Sequence, residues 1–165
     1  GMAQPWRFTV FSGEGLDVLR EGLPQWYASH VGPDKVNEAR VAKFKARFDA
    51  CNCVIGLGRV HDPEGRISEE DNAWAVAAAV QNMHLMCTAY GLGAKWTTPK
   101  FMERLEVKEA LGLPKEGSVM GLFYVGYPDG EWPKSHRMPL EFVTRWQDGQ
   151  AQSLEKHELK PTLKG

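Results

Sequence analysis

Apolar and polar positions along this chain of 165 residues follow two rhythms, strand-like and helical, and each predicts elements. Trp6–Phe11 (WRFTVF) is dense in β-branched and aromatic residues and is closed by Gly13 and Gly15, which predicts a strand. Leu16–Tyr27 has the spacing of a short helix, weakened by Gly22 and Pro24. Pro33-Asp34 opens a clearer helix over 34–48. There Val41, Phe44 and Phe48 recur at helical intervals while Lys35, Arg40, Lys43, Lys45 and Arg47 face elsewhere, which by default is a solvated face. Cys51–Val60 is a continuous apolar run, the pattern of a buried central strand, with a turn at 61–65.

The strongest pattern comes next. Ser68 can cap a helix, and Glu69, Glu70 and Asp71 suit the positive end of its dipole. From Ala73 to Tyr90 nearly every face is apolar, interrupted only by Gln81, Asn82, His84 and Thr88. A helix apolar all round belongs inside a structure or an interface. Alanines at 73, 75, 77, 78 and 79 permit close approach of a second helix, so the pattern implies a dimer. Gly91 is placed to stop this helix. An extended piece over 93–99, a helix over Phe101–Leu111 ended by Gly112 and Pro114, and a buried strand over Ser118–Tyr127 complete the pattern. Beyond Pro128 the chain becomes irregular, with a short amphipathic stretch to Trp146. The polar tail 147–165 reads as disordered or as an arm around a partner, which suggests one domain over 1–146 followed by that tail.

A net charge of -1 gives no field that would favour nucleic acid. No stretch approaches the roughly 20 apolar residues that span a bilayer. Three cysteines, Cys51, Cys53 and Cys87, lack C-x-x-C spacing and read as reduced thiols of a cytoplasmic protein. Alternation along a strand would put Cys51 and Cys53 on one side. The five histidines are scattered, which argues against a metal site, and His84 reads as a satisfied core histidine. Neither a G-x-S-x-G elbow nor a phosphate-binding G-x-x-x-x-G-K-[ST] loop occurs. The single Gly91-Leu92-Gly93 follows a helix, not a strand, and makes a poor dinucleotide fingerprint.

Four segments in order carry a resemblance: QPWRFTVF, EDNAWAVAAAVQNMHLMCTAYGLGAKWTTP, LGLPKEGSVMGLFYVGYP and PKSHRMPLEFV. Together they resemble the flavin-dependent nitroreductase family, from Gln4 to about Trp146. The resemblance implies an α+β fold with a central, mostly antiparallel sheet flanked by helices, in an intertwined homodimer. It implies FMN as cofactor and NAD(P)H as co-substrate. The activity implied is hydride transfer through the flavin to nitroaromatic, quinone or similar small-molecule acceptors.

For the site, the resemblance implies that Trp96, Thr97 and Thr98 lie along the flavin edge, with backbone N–H groups and threonine hydroxyls serving N5 or O4. Alone, the residues equally suit a plain edge strand with a packing tryptophan. Gly91 and Gly93 would let the backbone approach closely. Arg137 matches a phosphate-binding arginine, whose planar fork suits two oxygens; Lys134 and His136 are weaker neighbours. Thr97-Thr98 stands where the family commonly has an arginine-serine or serine-glycine pair, a departure that leaves the exact hydrogen bonds there open. The acceptor pocket would take walls from loops, here Trp26–Val36. In the family a helical segment with an arginine- and serine-containing motif precedes the Q-P-W strand. The resemblance therefore implies either a start upstream of Met2 or a natural truncation. The alternative reading is a non-catalytic or flavin-deficient dimer of the same fold; an unrelated α/β binding domain is a third.

Overall fold

The computed structural model describes residues 2–132, 137–147 and 149. It divides into two compact units, 1–129 and 130–165. The first holds a four-stranded sheet, entirely antiparallel, in the order β1 (Trp6–Ser12), β2 (Cys53–Arg59), β4 (Ser118–Gly126) and β3 (Gly93–Thr97). Four α-helices accompany it: α1 (Leu16–Val31), α2 (Glu38–Asp49), α3 (Glu69–Ala89) and α4 (Leu105–Ala110). This is the α+β arrangement expected. The second unit contributes one 3-10 turn, Leu140–Phe142. The tail expected as an arm lies, apart from Gln147 and Gly149, outside the described residues.

Side-chain alternation along the central strands builds two cores. Val54, Leu122 and Tyr124 point to one face, where α1, α2 and α4 pack with Leu19, Leu23, Phe48 and Val107, all at most 1% exposed apart from Tyr124. Leu57 and Phe123 point to the other, against Val76 and Val80 of α3. Gly56 and Gly58 alternate with Val54 on the first face. A Cβ at either would collide with Leu111 or Leu113, so the missing side chains are what let the end of α4 lie close to the sheet. Thr9 adds a tie by donating its hydroxyl to the Leu111 carbonyl at 2.7 Å.

Helix ends follow from local chemistry. Ser68 Oγ accepts the Asp71 N–H at 3.0 Å and starts α3. At its far end the Gly91 N–H reaches Thr88 O at 3.1 Å and the Leu92 N–H reaches Cys87 O at 2.8 Å, with Gly91 at φ 68. That double closure needs a left-handed residue, which glycine supplies without strain. Gly112 closes α4 in the same way. Arg59, only 7% exposed, donates to the Glu69 carbonyl at 2.7 Å and to Ser118 Oγ at 3.0 Å, tying the start of α3 to the end of the β2–β4 ladder.

Five expectations need correction. α1 runs to Val31 with Pro24 inside it. Burial of Leu16, Leu19, Leu23, Trp26 and Tyr27 outweighs the lost hydrogen bond, and Gly22 is where the Trp26 ring folds back, leaving no room for a Cβ. Hence Trp26–Val31 is helix rather than loop, and only 32–36, with its 3-10 turn at Pro33–Lys35, is irregular. The segment opened by Pro33 is that 3-10 turn, and α2 begins after the Asn37 cap, whose side chain accepts the Arg40 N–H. Phe101–Leu111 is split into a 3-10 turn over Lys100–Glu103 and α4, because Arg104 is extended at ψ 147. Cys51 precedes β2, so alternation does not relate it to Cys53; it packs with the α1–α2 core.

Phe101 joins three elements. It meets Phe44 of α2 edge-on at 5.3 Å and Tyr27 of α1 at 6.0 Å, just after the end of β3. Removing a buried aromatic of this kind costs transfer free energy and leaves a cavity. Phe101→Ala is therefore expected to lower unfolding free energy by about 3–5 kcal/mol, read from urea unfolding followed by circular dichroism.

Candidate functional site

Five of the six expected site residues, Gly91, Gly93, Trp96, Thr97 and Thr98, follow one another from the end of α3 along β3. β3 is an edge strand, so one of its two hydrogen-bonding sides has no strand partner in the sheet. Its position depends on a bulge in β4. The pairing runs Leu57↔Gly121 and then Gly58↔Val119, leaving Met120 as the extra residue. Met120's carbonyl accepts the Trp96 indole N–H at 2.8 Å. Gly121 sits at φ 119, and a Cβ there would strike the Thr97 carbonyl oxygen. Only glycine lets the two strands come this close at that point.

Because neighbours on a strand face opposite ways, Trp96 and Thr97 do different things. Trp96 packs under α3 with Phe123 and Leu57, and its single donor is already used. Thr97 lies on the other face, across from Leu122. Its Oγ1 is buried without a hydrogen-bond partner, and so is the hydroxyl of Tyr124. Burial pushes the Tyr124 phenol up, with Thr97 and Arg47 counteracting. The two hydroxyls are thus neighbours, yet neither bonds the other with acceptable distance and angle. Thr98 follows the strand and is exposed; Pro99 offers no N–H. Gly91 serves the helix stop described above. Gly93 opens β3 against Gly126, and a Cβ there would make ordinary contacts only. Arg137 belongs to the second unit and is exposed there. Lys134 and His136 lie outside the described residues.

A feature that sequence reasoning set aside adjoins this strand end. A groove of about 640 Å³ runs between α2 and Thr98-Pro99, lined by Arg40, Lys43, Phe44 and Arg47. The three cations stand at intervals of three and four, which places them on one side of α2. The spacing was available in the sequence. What was missing is the strand end opposite, which Phe44 and Phe101 bring within reach. The thiols play no visible part: burial pushes Cys51, Cys53 and Cys87 up, which keeps them protonated and unreactive at neutral pH. His84 sits edge-on to Phe123 at 4.6 Å. Among the described residues no cluster of His, Cys, Asp or Glu could hold a metal, and no helix is long and apolar enough to cross a membrane.

An antiparallel sheet thus lies between a helical layer and one long, half-covered helix, and its edge strand ends beside a groove. The chain belongs to the nitroreductase family, whose model matches residues 1–127. The Escherichia coli K12 protein named "Putative NAD(P)H nitroreductase YdjA" is 27% identical over 144 residues, covering 86% of this chain and 76% of that one. Among solved structures, a nitroreductase-like family protein from Bacillus cereus superposes with a TM-score of 0.72 at 22% identity, over 88% of this chain and 74% of that one. The FMN and NADPH-dependent nitroreductase NfnB from Sphigopyxis sp. strain HMH does so with a TM-score of 0.61 at 18% identity, over 87% and 80%.

The distinct situations of the two polar groups give opposite expectations for the flavin-free protein. Trp96→Phe leaves the Met120 carbonyl without its donor and should cost about 1–3 kcal/mol. Tyr124→Phe removes a hydroxyl whose hydrogen bond is unmade and should change stability by less than about 1 kcal/mol, or raise it. Urea unfolding of both variants against the parent protein reads the difference.

Proposed function

We propose that this chain is an FMN-dependent oxidoreductase. It would use NADH or NADPH to reduce nitroaromatics, quinones or related acceptors. The observation that carries this reading is what meets at the end of β3 in a chain of this family. An open strand edge, a buried Thr97 hydroxyl without a partner and a groove walled by cations come together there. The donor set suits a flat, hydrogen-bonding, electron-accepting ring. Unpaired backbone groups of β3 and the hydroxyls of Thr97 and Thr98 offer bonds to its polar edge. Gly91 and Gly93 leave that approach free of side chains. Arg137 is the proposed phosphate ligand. FMN held there supplies the two-electron chemistry between NAD(P)H and the acceptor; the protein's part is to orient the ring, tune it and keep water away. The E. coli and Sphigopyxis relatives, named for NAD(P)H or for FMN and NADPH, support the same cofactors.

A homodimer is part of this proposal. On α3 only Asn72, Val76 and Val80 are buried. Trp74, Ala78, Gln81 and Leu85 recur at intervals of four, three and four along the opposite side and are all exposed, Trp74 at 67% and Leu85 at 59%. Phe8 and Val10 of β1 are also exposed, on the sheet face that carries α3. A single chain leaves this apolar surface in water, at roughly 25 cal/mol per Å². A second copy, meeting it across the small Ala78, would cover it.

Two measurements test the reading. Purified protein mixed with FMN and passed through a desalting column should stay yellow and consume NAD(P)H when a nitroaromatic is added; a colourless, inactive protein refutes it. Sedimentation should give a dimer, and Leu85→Glu should shift it to monomer at micromolar concentration. A parent protein that sediments as a monomer removes the shared interface.

A further inference from the structure

The groove between α2 and the end of β3 holds more positive charge than the fold requires. Three other arginines are ion-paired: Arg20 with Asp17 and Asp49, Arg59 with Glu69, Arg66 with Glu64. Arg40, Lys43 and Arg47 pair with no described carboxylate, and no acidic residue lines the groove. The two arginines are also held in place. The Arg40 guanidinium lies 5.6 Å from the Tyr27 ring and 6.0 Å from the Phe44 ring, and Arg47 lies 5.2 Å from Phe44. Ring faces attract cations without neutralising them. Three like charges on one side of a helix, two of them resting on aromatic rings and none with an internal counter-charge, describe a receptor for an anion.

Geometry narrows which anion. The opposite wall is Thr98-Pro99, the end of the strand whose edge the proposed function assigns to the reacting ring. A group bound in the groove would therefore lie beside that ring. The extra phosphate of NADPH is separated from its nicotinamide by a pyrophosphate and two riboses, which is too remote. A carboxylate attached directly to a one-ring acceptor has the right reach, and Phe44 offers the ring an apolar contact. Resting on the proposed function, we propose that this groove selects the acceptor, and that the preferred acceptors are aromatic acids, their carboxylate held by Lys43 and Arg47 with Arg40 beside them.

The test compares 4-nitrobenzoate with its neutral analogue 4-nitrobenzamide on the FMN-loaded protein. At low ionic strength kcat/KM should favour the carboxylate by about tenfold, the effect of one charge-assisted contact. The preference should shrink toward parity as salt screens the cations. The double variant Lys43→Glu, Arg47→Glu should abolish or invert the ratio, and Lys43→Gln, a milder change at an exposed position, should weaken it. A readout without turnover accompanies this. 4-Nitrobenzoate, and not the amide, should raise the thermal midpoint of the flavin-free protein, and the double variant should lose that shift. Equal kcat/KM values in the parent protein, or a ratio unmoved by the double variant, overturn the proposal. So does a variant that loses FMN absorbance while keeping the ratio, since the cations would then serve the cofactor. A changed NADPH-to-NADH ratio with an intact acceptor ratio assigns them to the dinucleotide and equally overturns it. If the parent protein takes up no FMN, the flavoenzyme reading itself fails. The thermal shift with the carboxylate then decides alone whether the groove binds aromatic acids.

Discussion

One surplus residue in β4 governs where the candidate site lies. Met120 has no partner on β2, so the strand bulges there and presents its carbonyl to the indole of Trp96. Gly121, at a φ only glycine adopts without strain, lets the Thr97 backbone lie against it. β3 has a single neighbour in the sheet, and at five residues it would be a weakly held edge. The indole bond and the close approach at Gly121 fix it in register and in depth. Everything attributed to the site, from the open edge to the orphan hydroxyl of Thr97, inherits its position from that contact.

The sheet then separates two environments with different purposes. On one face, α1, α2 and α4 enclose a continuous core in which Phe101 locks α2 against the end of β3. This face is complete within one chain, and its closeness depends on side chains that are absent at Gly56 and Gly58. On the other face α3 covers only part of the sheet and keeps an apolar side turned outward. The same helix thus serves as core through Val76 and Val80 and as prospective interface through Trp74 and Leu85. Dispersed alanines satisfy both demands, since they neither resist burial nor prevent a second helix from approaching.

Charge follows the same division. Acidic residues gather at the start of α3, where the helix dipole favours them, and Arg59 is spent on fastening that end to the sheet. The cations of α2 have no such structural employment. Arg40 and Arg47 sit against aromatic rings, and with Lys43 they line a groove whose other wall is Thr98-Pro99, next to the buried Thr97 hydroxyl.

Local signals were enough to read much of this from the chain itself. Ser68 at the start of α3, Gly91 and Gly112 at helix ends, and the apolar runs of β2 and β4 depend on contacts within a few residues or on side-chain alternation. Short-range chemistry therefore determines them. The family resemblance was legible for the same reason: three of its four segments contain β1, α3 with β3, and β4. Tertiary structure alone decided the rest. It kept α1 helical through Pro24 because five buried side chains outweigh one lost hydrogen bond. It gave Trp96 to Met120 and left Thr97 unpaired, since no pattern within β3 reveals a bulge in β4. It also turned the basic side of α2 from an ordinary wet surface into one wall of a groove, because residues more than fifty positions apart meet only when Phe44 packs on Phe101.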